Sequence, residues 1–229
     1  MSTARQHVFL TGGSGYMGSR LIPRLLSRGH RVTALARPHS QDKLPSGCEA
    51  VLGNALDGSS YRDRIKPATT FVQLVGVSHP SPAKAADFCS IDLVAGREAI
   101  AAAVSAGIQH LIYVSVAHPA PMMKAYIAVR AECETLIRES GLDATILRPW
   151  YVLGPGHRWP YVLVPAYWLL ERISSTREGA RRLGPVTLEQ MLQALTDAVE
   201  SPSTGVCVLG VPEIRAGRAN AAFGAASAR

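Results

Sequence analysis

Thr11-Gly12-Gly13-Ser14-Gly15-Tyr16-Met17-Gly18 follows the apolar run His7–Thr11 and leads into a segment, to about Arg28, with helical spacing of apolar residues. Gly12, Gly15 and Gly18 are spaced G-x-x-G-x-x-G. A chain leaving a strand into such a turn needs backbone conformations that a β-carbon resists. Bare backbone also lets a pyrophosphate approach, and the unpaired N–H groups and positive dipole end of the following helix hold it. A glycine triplet alone is a weak sign. Between a strand and a helix, in a clear βαβ unit, it predicts a dinucleotide cradle containing Gly12, Gly15, Tyr16, Met17 and Gly18.

Working outward, short apolar runs alternate with helical patterns. Strands are expected at His7–Thr11, Arg31–Arg37, Glu49–Leu52, Thr70–Val75, His110–Val116 and Ala144–Arg148. Helices are expected to Arg28 (closed by Gly29), over Ala85–Ala106 (closed by Gly107) and over Met122–Ser140 (ended by Gly141). Strand–helix alternation at this spacing gives an α/β, Rossmann-type, doubly wound parallel sheet. After Trp150 the pattern changes to helices near 160–172 and 187–200 and a last strand near Val206–Leu209, a small helical cover over about 150–212. The expectation is a single domain, 1–215, with a disordered tail, 216–229.

Composition narrows the classes. The chain has 229 residues with 47% hydrophobic and 18% charged, which excludes disorder of the whole chain. The net charge of +7 raises nucleic acid or anionic membrane as a partner. No Lys/Arg block with interleaved aromatics is present, so no nucleic acid is expected. Arg20, Arg24, Arg28, Arg31 and Arg37 near the turn, with Arg172, Arg177, Arg181 and Arg182, read instead as a field that steers an anionic small ligand. Cys48, Cys89, Cys133 and Cys207 form no close pair, so no metal site is expected, and free, mostly buried thiols in a cytoplasmic setting are. Trp159–Leu170 is too short to span a bilayer and reads as a pocket wall, with membrane-surface contact the lesser alternative. A homo-oligomer is left open.

The second strand ends Val32-Thr33-Ala34-Leu35-Ala36-Arg37, with no acid where NAD-selective chains carry one. A guanidinium there pairs with a 2′-phosphate through two hydrogen bonds. NADP(H) is thus favoured over NAD(H), with Arg37 as the selecting residue.

These residues, with Tyr113-Val114-Ser115, Tyr126 at a helix start, and Leu147-Arg148-Pro149 before Gly154-Pro155-Gly156, resemble the short-chain dehydrogenase/reductase superfamily. The resemblance is to its atypical NAD(P)H-binding, epimerase-like (NmrA-like) branch. It implies a cofactor over the C-terminal sheet edge, lined by Leu74, Val75, Gly76, Ser115 and Pro149, with Asn54 where an adenine-contacting Asp often stands. It also implies Tyr126 as proton donor to an unknown small-molecule carbonyl. The family's Lys four residues on is Arg130 here, and its second Ser is Val116. Tyr126 and Arg130 share a helix face, so the charge lies beside the phenol, yet Arg cannot relay a proton. Catalytic candidates are therefore Tyr126, Arg130 and Ser115, in an oxidoreductase or, alternatively, a non-catalytic dinucleotide sensor. His79, His118 and His157 lie in loops at or after strand ends; one could serve as a substitute acid, but with no carboxylate partner in view each reads as an ordinary loop histidine. Asp92 reads as a solvated or capping group. Trp150, Tyr151, Trp159, Tyr161, Tyr167 and Trp168 fit either a bulky apolar substrate or packing.

Overall fold

The apolar runs of the sequence become strands whose alternate residues enter two different cores. The computed structural model describes residues 5–156 and 177–217. Its strands are β1 (His7–Thr11), β2 (Arg31–Ala36), β3 (Glu49–Leu52), β4 (Thr70–Gln73), β5 (His110–Val114), β6 (Asp143–Leu147), β7 (Tyr151–Leu153), β8 (Pro185–Thr187) and β9 (Val206–Leu209). Seven of them form one parallel sheet in the order β3-β2-β1-β4-β5-β6-β9. The order reverses at β1, and the crevice between β1 and β4 at the C-terminal edge is where open α/β sheets hold ligands. The fold is the expected Rossmann-type α/β fold. β7 and β8 pair separately.

Side chains alternate across a strand, so Val8 and Leu10 face one side and Phe9 the other. Val8, Leu10, Val72 and Ile112 pack with α1 (Gly18–Ser27) through Leu21, Ile22 and Leu25. Phe9, Phe71, Leu111 and Tyr113 pack on the opposite side with α2 (Val94–Ala106) and α3 (Lys124–Glu139), through Ala99, Ala103, Cys133 and Ile137. α4 (Arg177–Arg182), α5 (Leu188–Glu200) and α6 (Val211–Ala216) complete the described helices. The buried stripe of α5, including Met191, Leu195 and Val199, joins the α1 side.

Several boundaries differ from the sequence reading. β4 ends at Gln73 and β5 at Val114, two residues short in each case, so 74–76 and 115–117 leave the sheet as loops at its C-terminal edge. The long helix is not uniform: a turn at Ala85–Asp87 passes through a π-helical segment, Phe88–Leu93, before α2 begins. Gly107 closes α2 with φ +69°, as its position required. Ala216 ends α6 and Gly217 follows it in the left-handed region. The expected helix near 160–172, the apolar segment Trp159–Leu170, Tyr161, Tyr167, Trp168, His157, Arg172 and the tail beyond Gly217 lie outside the described residues. No helix among the described residues is long and apolar enough to cross a membrane. Of the four free thiols only Cys133 is buried and Cys89 is exposed, which corrects the expectation of mostly buried cysteines.

Candidate functional site

The turn after β1 is built by the absence of side chains. Gly12 adopts φ +76°, and a β-carbon on it would lie 3.0 Å from the Leu74 carbonyl carbon, so the turn nests against the chain leaving β4. Gly15 donates its N–H to the Gly12 carbonyl at 3.0 Å. A β-carbon on Gly18 would overlap that same carbonyl oxygen, which makes Gly18 the residue that lets α1 start hard against the turn. Tyr16 and Met17 pack against the α1-side core, and the Arg20 guanidinium lies 4.5 Å above the Tyr16 ring.

A cavity of about 440 Å³ opens at the C-terminal edge beside this turn. One wall is Gly12 and Ser14, a second is Arg37, Ser40 and Asn54 beyond β2 and β3, and a third is Val75, Gly76 and Val77 beyond β4. The size is ordinary for a cofactor site. Asn54 Oδ1 accepts from the Leu56 N–H at 3.1 Å, which fixes the side chain at the cavity rim. Arg37 is exposed, and among the described residues its side chain enters no hydrogen bond or ion pair. Of the expected cofactor residues, the structure thus gathers Gly12, Arg37, Asn54, Val75 and Gly76 at one cavity. Leu74 packs into the core, and Pro149 is buried and accepts the Ala117 N–H at 2.8 Å. The bare glycine turn and a cation at the β2 end fit a phosphorylated dinucleotide.

The second half of the edge is organised by two buried carboxylates. Asp92 is 1% exposed and pairs with Arg130 while accepting the Val77 N–H at 2.9 Å. That corrects the reading of Asp92 as a solvated or capping group. The signal was present: Phe88, Asp92, Ala95 and Ala99 recur at helical spacing, and all four are buried. Burial pushes the Asp92 carboxyl above its usual range, opposed by Arg130 and the Val77 N–H.

Arg130 also donates to the Val114 carbonyl at 3.0 Å and to the Tyr113 hydroxyl at 3.2 Å. Burial opposes its charge, but Tyr113, Tyr126 and Asp92 outweigh that and hold it protonated. Tyr126, half-buried, presents its ring to this guanidinium at 5.1 Å and to Phe88 at 4.9 Å. Arg130 is therefore beside Tyr126, as the i,i+4 spacing required, with its hydrogen bonds directed to other groups.

Glu134, one turn beyond Arg130, is the residue that the sequence reading missed. It is 3% exposed, accepts from Ser115 Oγ at 2.6 Å and from Arg148 Nε at 2.9 Å, and pairs with Arg148 Nη2. His118 Nε2 lies 3.5 Å from Glu134 Oε1. Burial raises the Glu134 carboxyl, but the hydrogen bonds from Arg148 and Ser115 and the charges of Arg148 and His118 bring it below its usual range. Ser115, 2% exposed, thus spends its hydroxyl on Glu134. The helical repeat Tyr126, Arg130, Glu134 was the available signal.

Arg24 bonds Glu189 at 2.5 Å and also Gln193, and Arg28 reaches Glu200 at 3.1 Å, all on α5. These contacts tie α1 and the residue that follows it to α5.

The chain was compared with known proteins. It is 26% identical over 168 residues to the 4-hydroxy-2-methyl-3-oxo-4-farnesyl-3,4-dihydroquinoline-1-oxide ketoreductase of Stigmatella aurantiaca, covering 64% of this chain and 50% of that protein. It is 28% identical over 155 residues to the ceramide reductase of Caulobacter vibrioides, covering 67% of this chain and 48% of that one. The chain spans about half the length of these curated relatives. The UDP-glucose 4-epimerase of Thermus thermophilus, solved in complex with NAD, shares the fold with a TM-score of 0.64 at 20% identity, over 94% of this chain and 83% of that one. The NAD(P)H-binding family matches residues 12–165, and the chain belongs to that family.

Proposed function

We propose that the chain is an NADP(H)-dependent reductase acting on a carbonyl of an apolar small molecule. One observation carries the cofactor choice: Arg37, at a β2 end without an acid, lines the same cavity as the glycine turn and Asn54. A carboxylate there would repel a 2′-phosphate, whereas the guanidinium pairs with it. The glycine turn holds the pyrophosphate on backbone N–H groups, and Asn54 meets the adenosine end. When bound, the reduced dinucleotide supplies a hydride to a carbonyl carbon. The substrate class is supported by the two curated relatives, whose names specify a farnesyl-bearing ketone and a ceramide. Trp150 and Tyr151, rings 5.6 Å apart just after β6, suit an apolar substrate. In this reading Tyr126 donates a hydrogen bond to the carbonyl oxygen, and Arg130 holds the Tyr126 ring.

A second reading, a dinucleotide sensor without turnover, is favoured by one fact. Arg130 and Ser115 are both committed to buried carboxylates. The test is NADPH oxidation with long-chain ketones, β-keto esters and quinones, comparing wild type with Tyr126→Phe. Turnover that falls in the variant supports the reductase. Binding of NADPH with no turnover of any carbonyl supports the sensor.

A further inference from the structure

A carbonyl carbon that receives hydride leaves an oxygen that must gain a proton. Arg130 does not release one at accessible pH, and the Ser115 hydroxyl is held by Glu134. His118 stands apart from both. It lies in the loop after β5, three residues beyond Ser115, at the sheet edge where ligands bind. Its side chain is 22% exposed. Its Nε2, by contrast, is buried, has no hydrogen-bond partner among the described residues, and faces Glu134 Oε1. Glu134 is anchored from three other directions, by Ser115, Arg148 and Arg138, the last at 3.7 Å. The carboxylate that the sequence could not supply to a loop histidine is therefore present.

We propose that His118 is a proton donor of this site and that Glu134 is its positioning residue. The proposal rests on the reductase reading above. With Nε2–H turned to the carboxylate, the protonated ring offers its Nδ1 proton to the open side. In the step, the Nδ1–H bond breaks and its electron pair stays on the ring. An O–H bond forms on the substrate oxygen, whose carbon has taken hydride from the reduced nicotinamide dinucleotide. The carbonyl becomes an alcohol, and solvent returns a proton to Nδ1. A fixed carboxylate behind an imidazole sets its tautomer and orientation.

The test compares wild type with His118→Ala and His118→Gln. Steady-state kinetics use NADPH and a carbonyl turned over by wild type, NADPH affinity is read by fluorescence, and ring ¹⁵N spectra are taken without cofactor, His118 being assigned by its loss in His118→Gln. The expected result is a fall in kcat of roughly 10²-fold or more in both variants, with KM and NADPH affinity held within about threefold. Added imidazole restores part of the kcat of His118→Ala, and the wild-type neutral ring carries its proton on Nε2. Unchanged kcat in the variants, beside wild-type turnover, overturns the role of His118 and leaves the reductase reading standing. A neutral ring protonated on Nδ1 overturns the role of Glu134. Absence of wild-type turnover with any carbonyl overturns the reductase reading and this proposal with it. Because Glu134 also holds Ser115 and Arg148, no outcome depends on the folding of a Glu134 variant.

Discussion

The two halves of the sheet's C-terminal edge treat their polar groups in opposite ways. Around Gly12 and Arg37, backbone and guanidinium are left facing a cavity. Around β5 and α3, the polar groups are turned inward onto Asp92 and Glu134. A ligand site leaves its donors uncommitted, whereas a structural network saturates them. The difference teaches that Arg130 and Ser115 can be tied to buried carboxylates while the neighbouring glycine turn stays open and the His118 Nε2 beside Glu134 is left without a hydrogen-bond partner among the described residues.

The comparison breaks first at Asp92. Asp92→Ala would leave a buried Arg130 without its carboxylate, and removing one partner of a buried pair costs about 3–5 kcal/mol. Urea denaturation should show a loss of that size, and Asp92→Leu with Arg130→Met together should recover much of it. A loss below about 1 kcal/mol would mean that the pair is not structural.

Glu134→Gln probes the same half through pH. The Glu134 carboxyl is depressed below the ordinary glutamate value, so its contribution is present above that pH and disappears as pH falls through the folded value. The stability gap between wild type and Glu134→Gln should be open at pH 7 and should close progressively below about pH 4.5. A gap independent of pH would show that Glu134 is not ionised in the fold.

The open half responds in binding rather than stability. Gly18→Ala forces a β-carbon into the Gly12 carbonyl, and the turn must move. A loss of NADPH affinity of roughly 100-fold is expected by fluorescence titration, about 2.7 kcal/mol. Arg37→Ala should cost roughly tenfold in NADPH affinity and leave NADH unchanged. Least of all, Glu189→Ala on α5 should shift stability by under about 1 kcal/mol, since Glu189 is 71% exposed in its pair with Arg24.

Legibility followed the same division. β1, β3 and β9 match their expected limits because short apolar runs bounded by turns are local signals. The glycine turn was readable because its constraint is carried by its own backbone. What escaped depends on contacts far apart in the chain. Asp92 and Arg130 are 38 residues apart, Ser115 and Glu134 are 19 apart, and Arg24 and Glu189 are 165 apart. The β7–β8 pair joins Tyr151 to Pro185, three-residue strands too short to announce themselves. The π-helical segment Phe88–Leu93 has the apolar spacing of an ordinary helix, so nothing local marks it.

The most direct measurement is a side-by-side fluorescence titration of the wild-type protein with NADPH and NADH. Saturable binding of both, with NADPH tighter by about tenfold, is the result expected if the cavity beside Gly12 holds the dinucleotide and Arg37 its 2′-phosphate. Equal affinities would contradict the role of Arg37, and no binding of either would contradict the cofactor site itself.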